Sequence, residues 1–144
     1  FMPVVVKVVT QDEYDIWVKE KKEAAFRMAE LTEKNWTTAE LTERGEGVYL
    51  KNCVACHQVN GQGIQGLFPN LAGSDIVLNN KARNVEILME GVQGAAMQSF
   101  ANQLSEVDMA AVITYTRQAW GNAENGDGKI VIPKDIVEYN KPNI

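Results

Sequence analysis

One pentapeptide constrains this chain more than any other feature: residues 53–57 read Cys53-Val54-Ala55-Cys56-His57. The chain has no cysteine and no histidine outside this motif. Cys-x-x-Cys-His is the attachment signature of a c-type haem, in which each thiol adds across one vinyl group of the porphyrin. The imidazole that follows binds the iron as its proximal ligand. The motif therefore predicts one covalent haem c, held by Cys53, Cys56 and His57.

Three other interpretations of the two cysteines find less support in the sequence. A redox-active dithiol of the thioredoxin kind needs a strand–helix–strand context, and nothing before Cys53 has that pattern. A structural zinc ion takes four nitrogen or sulfur ligands, whereas this chain offers three. A disulfide between Cys53 and Cys56 would close a very short loop and so stabilise the fold little.

Composition narrows the functional class. A length of 144 residues corresponds to about one domain, and a formal net charge of −5 argues against nucleic acid as a partner. The chain opens with no signal-peptide pattern and contains no apolar run long enough for a membrane span. Because c-type haem is attached outside the cytoplasm, we expect this domain on the periplasmic side of a bacterial inner membrane. Any membrane segment would lie upstream of residue 1.

The chain divides near residue 37 into two parts of different character. Met2 to Thr10 is short and rich in β-branched residues, which predicts a strand. Thr10 and Glu13 form a capping box, and the apolar spacing after it predicts a long helix to about Leu31. A polar break surrounds Trp36. We predict three regions: a leading region at 1–37, a haem domain at 38–122, and a loosely held C-terminal tail at 123–144.

Three helices are predicted within the haem domain. The first is capped by Thr37 or Thr38 and leads into the haem motif; its apolar face consists of Leu41, Gly45, Val48 and Tyr49. A short helix covers residues 84–91, and a last one runs from Ser105 to Ala119. Residues 60–74 and 91–101 between them are irregular and contain several glycines. The sequence therefore predicts a mainly α fold.

The second axial ligand of the iron has to come from another residue type, because the one histidine is already used. A methionine, a lysine and an open position are the alternatives. Met28, Met89 and Met109 lie on helical apolar faces, where packing is the simpler role. Met97 instead follows the small residues 94–96 in a loop, where the backbone can approach a porphyrin closely. We predict Met97 as the ligand, which favours ferrous iron and leaves no free position for a substrate.

The segment from about Leu41 to Asn122 resembles the class I, mitochondrial-type cytochromes c. The shared features are Gly45 and Tyr49 before the haem motif, Gly66-x-x-Pro69-x-Leu71, Met97-x-x-Phe100, and Tyr115 near Trp120. Gln98 stands where that family usually places a proline. The resemblance implies that the two terminal helices cross, with these residues at the crossing: Gly45, Tyr49, Val112 and Tyr115.

The same resemblance gives Pro69 a role. Its carbonyl would accept a hydrogen bond from the His57 imidazole and so raise the basicity of that ligand. A turn or packing proline is the alternative interpretation of Pro69.

The opening residues, from Phe1 to Trp17, are similar to the end of the copper domain of cytochrome c oxidase subunit II. In that family a Cys-x-x-x-Cys-x-x-x-His-x-x-Met run binds a dinuclear copper centre, and its last methionine falls on Met2. The cysteines and the histidine of that run are absent from this chain, so it cannot assemble the centre. The whole chain then resembles the C-terminal part of a bacterial subunit II with a fused cytochrome c domain. An ordinary strand is the alternative interpretation of Val4 to Val9.

This resemblance implies an electron-transfer module of a haem–copper terminal oxidase that is not catalytic alone. The haem would accept an electron from a soluble cytochrome or a quinol-oxidising complex. It would pass that electron to the copper domain of the same subunit, beside the other oxidase subunits. Two alternatives stay open: a free-standing periplasmic electron shuttle, and an open-site haem enzyme or gas sensor in which Met97 does not bind the iron.

Docking is expected at the exposed haem edge. The hypothesis is a small, weak contact patch that consists of Gln62, Ile64, Leu67, Ala96 and Gln98. Packing against the haem is the alternative role for these residues.

Overall fold

The computed structural model describes residues 4–140, and within these residues all the regular elements are helices. They are α1 Gln11–Glu33, α2 Thr38–Asn52, α3 Val54–His57, α4 Asp75–Asn79, α5 Lys81–Glu90, α6 Glu106–Gln118, α7 Asn122–Asn125 and α8 Pro133–Tyr139. The prediction of a mainly α, class I cytochrome c-like fold is confirmed. The chain forms two compact units, Phe1–Leu31 and Thr32–Ile144. None of the helices described is long and apolar enough to span a bilayer.

The predicted strand at the start of the chain is wrong for the residues that the structure describes. Residues 4–10 are non-helical and unpaired in any sheet, and Val4, Val5, Val6 and Val8 each expose more than four-fifths of their surface. A strand is stable only when its backbone groups pair with a neighbouring strand. A segment rich in β-branched residues has no such partner unless another part of the protein provides one. Met2 lies outside the described residues.

Helix α1 begins where its capping box predicts. The Thr10 backbone N–H donates to Glu13 Oε2 at 2.8 Å, and Glu13 N–H donates to Thr10 Oγ1 at 3.3 Å. The hydrogen bonds that the Thr10 backbone N–H and the Thr10 hydroxyl donate to the Glu13 carboxylate lower the pKa of that carboxyl. None of the α1 residues is fully buried, and Tyr14, Trp17 and Phe26 each expose half of their surface or more.

The second unit is organised by the crossing of α2 and α6. Thr37 caps α2 with a complete capping box to Glu40, and the predicted apolar face of α2 is buried. At the crossing, a Cβ added to Gly45 would lie 2.0 Å from the Ala111 carbonyl oxygen. Only glycine allows this approach, so the position of Gly45 fixes the separation of the two helices. The predicted crossing of the two terminal helices is therefore present.

A crossing cluster forms around this contact and consists of Val48, Tyr49 and Val112. Tyr115 and Trp120 pack against it, and the rings of Tyr49, Tyr115 and Trp120 lie with their centroids 5.2–5.5 Å apart. Aromatic rings at such distances and tilts attract each other beyond their buried area. The cluster thus joins α2 to the end of α6.

The expectation of a loosely held C-terminal tail is wrong for the part of the tail that the structure describes, which ends at residue 140. Val131 and Ile136 are fully buried in a second cluster, here called the α5–α8 cluster, whose members are Val85, Met89, Met109, Ala110, Ile113, Val131 and Ile136. Thr114 Oγ1 donates to the Val131 carbonyl at 2.9 Å and accepts from the Val131 N–H at 3.0 Å. Apolar burial and paired backbone groups hold this segment in place.

Arg117 holds the residues just before that segment, through contacts with Asp127 and Lys129. It is buried in α6, and its guanidinium donates to the carbonyls of Val77, Leu78 and Lys129 at 2.5, 3.2 and 2.8 Å and pairs with Asp127. A buried guanidinium is tolerated only when its donors are satisfied in this way. The pKa of Asp127 is lowered by a hydrogen bond from the Lys129 backbone and by the charge of Arg117.

The crossing geometry predicts the effect of substituting Gly45. Gly45→Ala should lower the free energy of unfolding by about 1–3 kcal/mol or more, because the new Cβ would overlap backbone that cannot rotate away. The matched control is Gly47→Ala in the same helix, where a Cβ meets nothing within 4 Å. Gly47→Ala should raise stability by about 0.5–1 kcal/mol through helix propensity. Urea unfolding followed by circular dichroism measures both, and equal effects would contradict this account of the crossing.

Candidate functional site

Cys53, Cys56 and His57 lie on one tight turn at the end of α2. The Cys53 N–H donates to the Tyr49 carbonyl at 2.9 Å, which continues α2. The Cys53 carbonyl then accepts from the N–H groups of Cys56 and His57 at 3.2 and 3.0 Å. This i, i+3, i+4 spacing puts the three side chains on one face of a helical turn. Both thiols are free and partly buried.

Burial determines the protonation state of Cys53. Burial, and next the charge of a Cys56 thiolate, raise the pKa of the Cys53 thiol to about 11. The side chain is therefore an uncharged thiol at neutral pH, in keeping with its packing against the crossing cluster.

The imidazole of His57 is oriented by Pro69. His57 Nδ1 lies 3.0 Å from the Pro69 carbonyl oxygen. Because a carbonyl can only accept, Nδ1 carries the proton and Nε2 keeps the lone pair that an iron ligand needs. The contact that the family resemblance implies is thus present. Its consequence for the iron stays a prediction.

Gly63 makes this contact possible. Its φ is +64°, and an added Cβ would lie 2.3 Å from the Phe68 oxygen and 2.5 Å from the Pro69 oxygen. Its N–H donates to the His57 carbonyl at 3.0 Å, and the adjacent Ile64 pairs with Phe68 in an isolated antiparallel bridge. The loop therefore folds back over a glycine and presents the Pro69 carbonyl to the ring.

Two aromatic side chains anchor the residues that follow His57. Tyr49 Oη donates to the Gln58 carbonyl at 2.6 Å, and Trp120 Nε1 donates to the Val59 carbonyl at 3.1 Å. Gln58 has a φ of +62°, a conformation that a residue with a side chain rarely adopts without support. Burial raises the pKa of Tyr49, so its hydroxyl remains a donor at alkaline pH. The crossing cluster thereby holds the turn that carries His57.

Trp120 also packs against the backbone of the same loop. A Cβ on Gly61 would lie 2.4 Å from the Trp120 ring, so only glycine fits there. The Gly61 carbonyl accepts from the N–H groups of Leu71 and Ala72 at 2.7 and 2.9 Å, which closes the loop. Sequence reasoning placed Trp120 near Tyr115 but did not find its hydrogen bond to Val59. Such a contact between residues far apart in the chain leaves no local sequence signal.

Met97 lies on the other glycine-containing loop, which leaves the end of α5. The Val92 N–H donates to the Met97 carbonyl at 2.9 Å, and the Phe100 N–H donates to the Leu88 carbonyl at 2.8 Å. Gly91 has a φ of +76°, and its missing side chain leaves room for the Met97 carbonyl 2.7 Å from where a Cβ would be. Met97 itself is partly buried. The structure fixes its backbone, and its role as an iron ligand stays a prediction.

The residues present fit a haem c. Partly buried apolar side chains pack against the crossing cluster beside Cys53; they are Val54, Leu71, Leu88 and Leu104. They supply the apolar surface that a porphyrin needs, while Cys53 and Cys56 offer two free thiols and His57 offers a fixed lone pair.

A family model described as cytochrome c oxidase, cbb3-type, subunit III, matches residues 40–115 of this chain. Cytochrome c-552 of Thermus thermophilus is 38% identical over 98 residues, which cover 58% of this chain and 73% of that protein.

Two dehydrogenase subunits are also similar to the chain. The alcohol dehydrogenase (quinone), cytochrome c subunit, of Gluconobacter oxydans (strain 621H) is 34% identical over 105 residues, which cover 62% of this chain and 22% of that protein. The gluconate 2-dehydrogenase cytochrome c subunit of Pantoea cypripedii is 26% identical over 140 residues, which cover 85% of this chain and 30% of that protein. The chain therefore spans between about a fifth and a third of these dehydrogenase subunits.

The Gly63 geometry predicts a shift in the reduction potential of the haem. Gly63→Ala should push the Pro69 carbonyl away from His57, lower the basicity of the imidazole and so disfavour ferric iron. We expect the potential to rise by roughly 20–60 mV. A hydrogen bond contributes about 0.5–1.5 kcal/mol, and about 59 mV corresponds to a tenfold change in a one-electron couple.

Gly66→Ala is the matched control for this substitution. Gly66 also has a positive φ, of +79°, but a Cβ there meets nothing within 4 Å. Potentiometric titration of both variants should show a rise in Gly63→Ala alone. An equal shift in both would assign the effect to backbone strain.

Proposed function

The chain belongs to the cytochrome c family as a cbb3-type subunit III-like domain, and on that premise we propose that it passes single electrons through one haem c without chemistry at the iron. The observation that carries the proposal is the 3.0 Å contact between His57 Nδ1 and the Pro69 carbonyl, on the same turn as Cys53 and Cys56. It prepares an imidazole for iron beside two thiols. When bound, haem c supplies a one-electron couple.

In the proposed site, each residue has a defined task. Cys53 and Cys56 would hold the porphyrin through their sulfur atoms, and His57 Nε2 would bind the iron. Pro69 keeps the proton on Nδ1 and fixes the plane of the ring. Met97 would supply a second ligand to the iron, which would leave no free position for small molecules such as oxygen. A rigid, closed site suits electron transfer, because few atoms have to move when the charge changes.

The sharpest test of this proposal is whether Met97 binds the iron as its sixth ligand. Met97→Ala should abolish the far-red absorption band that sulfur–iron charge transfer gives to the ferric protein. The reduced variant should bind carbon monoxide readily. Its potential should fall by more than about 59 mV, since the thioether that favours ferrous iron is lost. Met28→Leu is the control, because Met28 lies in α1 and in the compact unit that does not contain the haem motif, and it should leave all three properties unchanged.

A far-red band that survives in Met97→Ala would remove Met97 from the iron. Ready binding of carbon monoxide by the unmodified reduced protein would favour the open-site enzyme or gas sensor instead.

Both loops that flank the proposed haem lack charged side chains. Residues 52–74 and 91–105 contain no Asp, Glu, Lys or Arg, although the chain as a whole carries a net charge of −5. The docking residues proposed from the sequence are exposed, and Leu67 exposes 72% of its surface. A cavity of about 520 Å³ beside Pro69 is also lined by uncharged residues, among them Gln62, Leu67 and Phe68. We propose that the redox partner docks through apolar and neutral polar contacts.

An uncharged docking face predicts that added charge slows electron transfer. Ile64→Glu and Ala96→Glu should each lower the rate severalfold at a gold electrode coated with a hydroxyl-terminated monolayer. A carboxylate pressed against an uncharged surface loses hydration without gaining a partner. Ala39→Glu is the control, since Ala39 is exposed at the start of α2, and its rate should match the wild type. Voltammetry measures the rates, and unchanged rates in all three variants would exclude this face; absorption spectra should stay constant.

We also propose which larger protein this chain belongs to. Similarity of residues 1–17 to the end of a subunit II copper domain supports a haem–copper oxidase. In that case residues 38–122 would feed electrons from a soluble cytochrome or quinol-oxidising complex to a copper centre upstream, with residues 1–37 as the copper-domain remnant and connecting helix. Met2 would then be a ligand of that centre. The proposed location is the periplasmic side of the inner membrane, both for an oxidase and for the dehydrogenase considered below.

The relatives favour a second candidate, the cytochrome subunit of a dehydrogenase, because two of them carry that description. The match to cytochrome c-552 over most of its length also keeps a free-standing shuttle open. The gene sequence before Phe1 separates these candidates. A copper-ligand run there would favour the oxidase, and a continuation that aligns with the rest of the dehydrogenase subunits would favour the dehydrogenase.

A further inference from the structure

The C-terminal helix α8 contacts both ends of α5, through an ion pair at one end and a hydrogen bond at the other. Asp135 of α8 forms an ion pair with Lys81, the first residue of α5, at 2.7 Å. Tyr139 of α8 donates its hydroxyl proton to the carboxylate of Glu90, the last residue of α5. Between these two contacts, Ile136 is fully buried in the α5–α8 cluster. Helix α5 is thus held at both of its ends by a segment that lies after the residues that the family model matches.

The loop that contains Met97, residues 91–101, is attached to the last turn of α5. Ser99 Oγ donates to the Met89 carbonyl at 2.5 Å, and the Phe100 N–H donates to the Leu88 carbonyl at 2.8 Å. Gly91 follows Glu90 directly and packs against the backbone of Met97. Because both ends of the loop are attached to this turn, a movement of the turn moves the loop with it.

We propose that α8 is a positioning element for Met97, and that Tyr139 is its positioning residue nearest the loop. The inference rests on the proposed role of Met97 as an iron ligand. Helix α8 acts through α5, and it sets how readily the loop opens and the thioether leaves.

The test is competition between Met97 and free imidazole in the ferric holoprotein. Imidazole can take the sixth position only when the loop opens, so its apparent affinity reports the opening equilibrium. Loss of the far-red sulfur–iron band during titration measures the displacement. Tyr139→Phe removes only the hydroxyl and should raise the imidazole affinity about three- to tenfold, as expected for the loss of one exposed hydrogen bond of ordinary strength.

Two further variants separate positioning from general stability. Ile136→Val loosens the packing of α8 on α5 and should also raise imidazole affinity. Leu41→Val is the matched control, because Leu41 is equally buried but lies in α2 and belongs to neither cluster. It should lower the urea midpoint to a similar degree and leave imidazole affinity unchanged.

The outcomes are distinct. Raised affinity in Tyr139→Phe and Ile136→Val alone would support the proposal. Unchanged affinity in both, or a rise in all three variants that follows their loss of stability, would overturn it. Absence of the far-red band from the wild-type protein would instead refute the Met97 ligand itself, and the positioning role would fall with it.

Discussion

The Gly45 backbone lies against the Ala111 carbonyl, and this contact fixes the distance between α2 and α6. The positions of most residues in the site depend on that distance. With the helices this close, Tyr49 of α2 and Trp120, which follows the end of α6, reach the same stretch of loop. Their hydrogen bonds hold the backbone just after His57, where a residue with a side chain adopts an unfavourable φ. The position of the imidazole is therefore decided by helix packing as well as by the motif that contains it.

Helix α6 is the element that joins the two halves of the site. One side of it packs against α2 and supports the His57 turn, through Val112 and Tyr115. The other side contributes Met109 and Ile113 to the α5–α8 cluster, on which the Met97 loop depends. A change in α6 is therefore felt on both sides of the proposed haem. Both flanking loops are uncharged, so their positions depend on hydrogen bonds, glycine contacts and apolar packing.

The parts of this fold that the sequence predicted are those with a local signal. The haem motif lies within five consecutive residues, and the capping box at Thr10 is a contact between residues three apart. Gly45 could be placed at a crossing because the family resemblance gave the partner helix. The strand at residues 4–10 was predicted wrongly because local β propensity says nothing about whether a neighbouring strand exists. The Trp120–Val59 hydrogen bond could not be predicted, because the two residues are 61 positions apart.

The C-terminal segment shows how composition can mislead. Residues 122–129 are rich in Asn, Gly and Asp, and they suggested that everything after them was loose. A closer reading would have noted Pro133, a residue suited to the first turn of a helix, followed by Asp135 and then Ile136. In the structure Asp135 accepts a hydrogen bond from the Ile132 N–H at 2.8 Å and caps that helix. The loop of turn-forming residues leads back to the core.

Burial of Val131 and Ile136 has a practical consequence for where the haem domain can be cut. A truncation at residue 122, where the family resemblance ends, would strip the cover from Val85, Met89 and Met109 and expose an apolar surface. Exposed patches of that kind promote aggregation, so a soluble, isolated domain needs the chain at least as far as Tyr139.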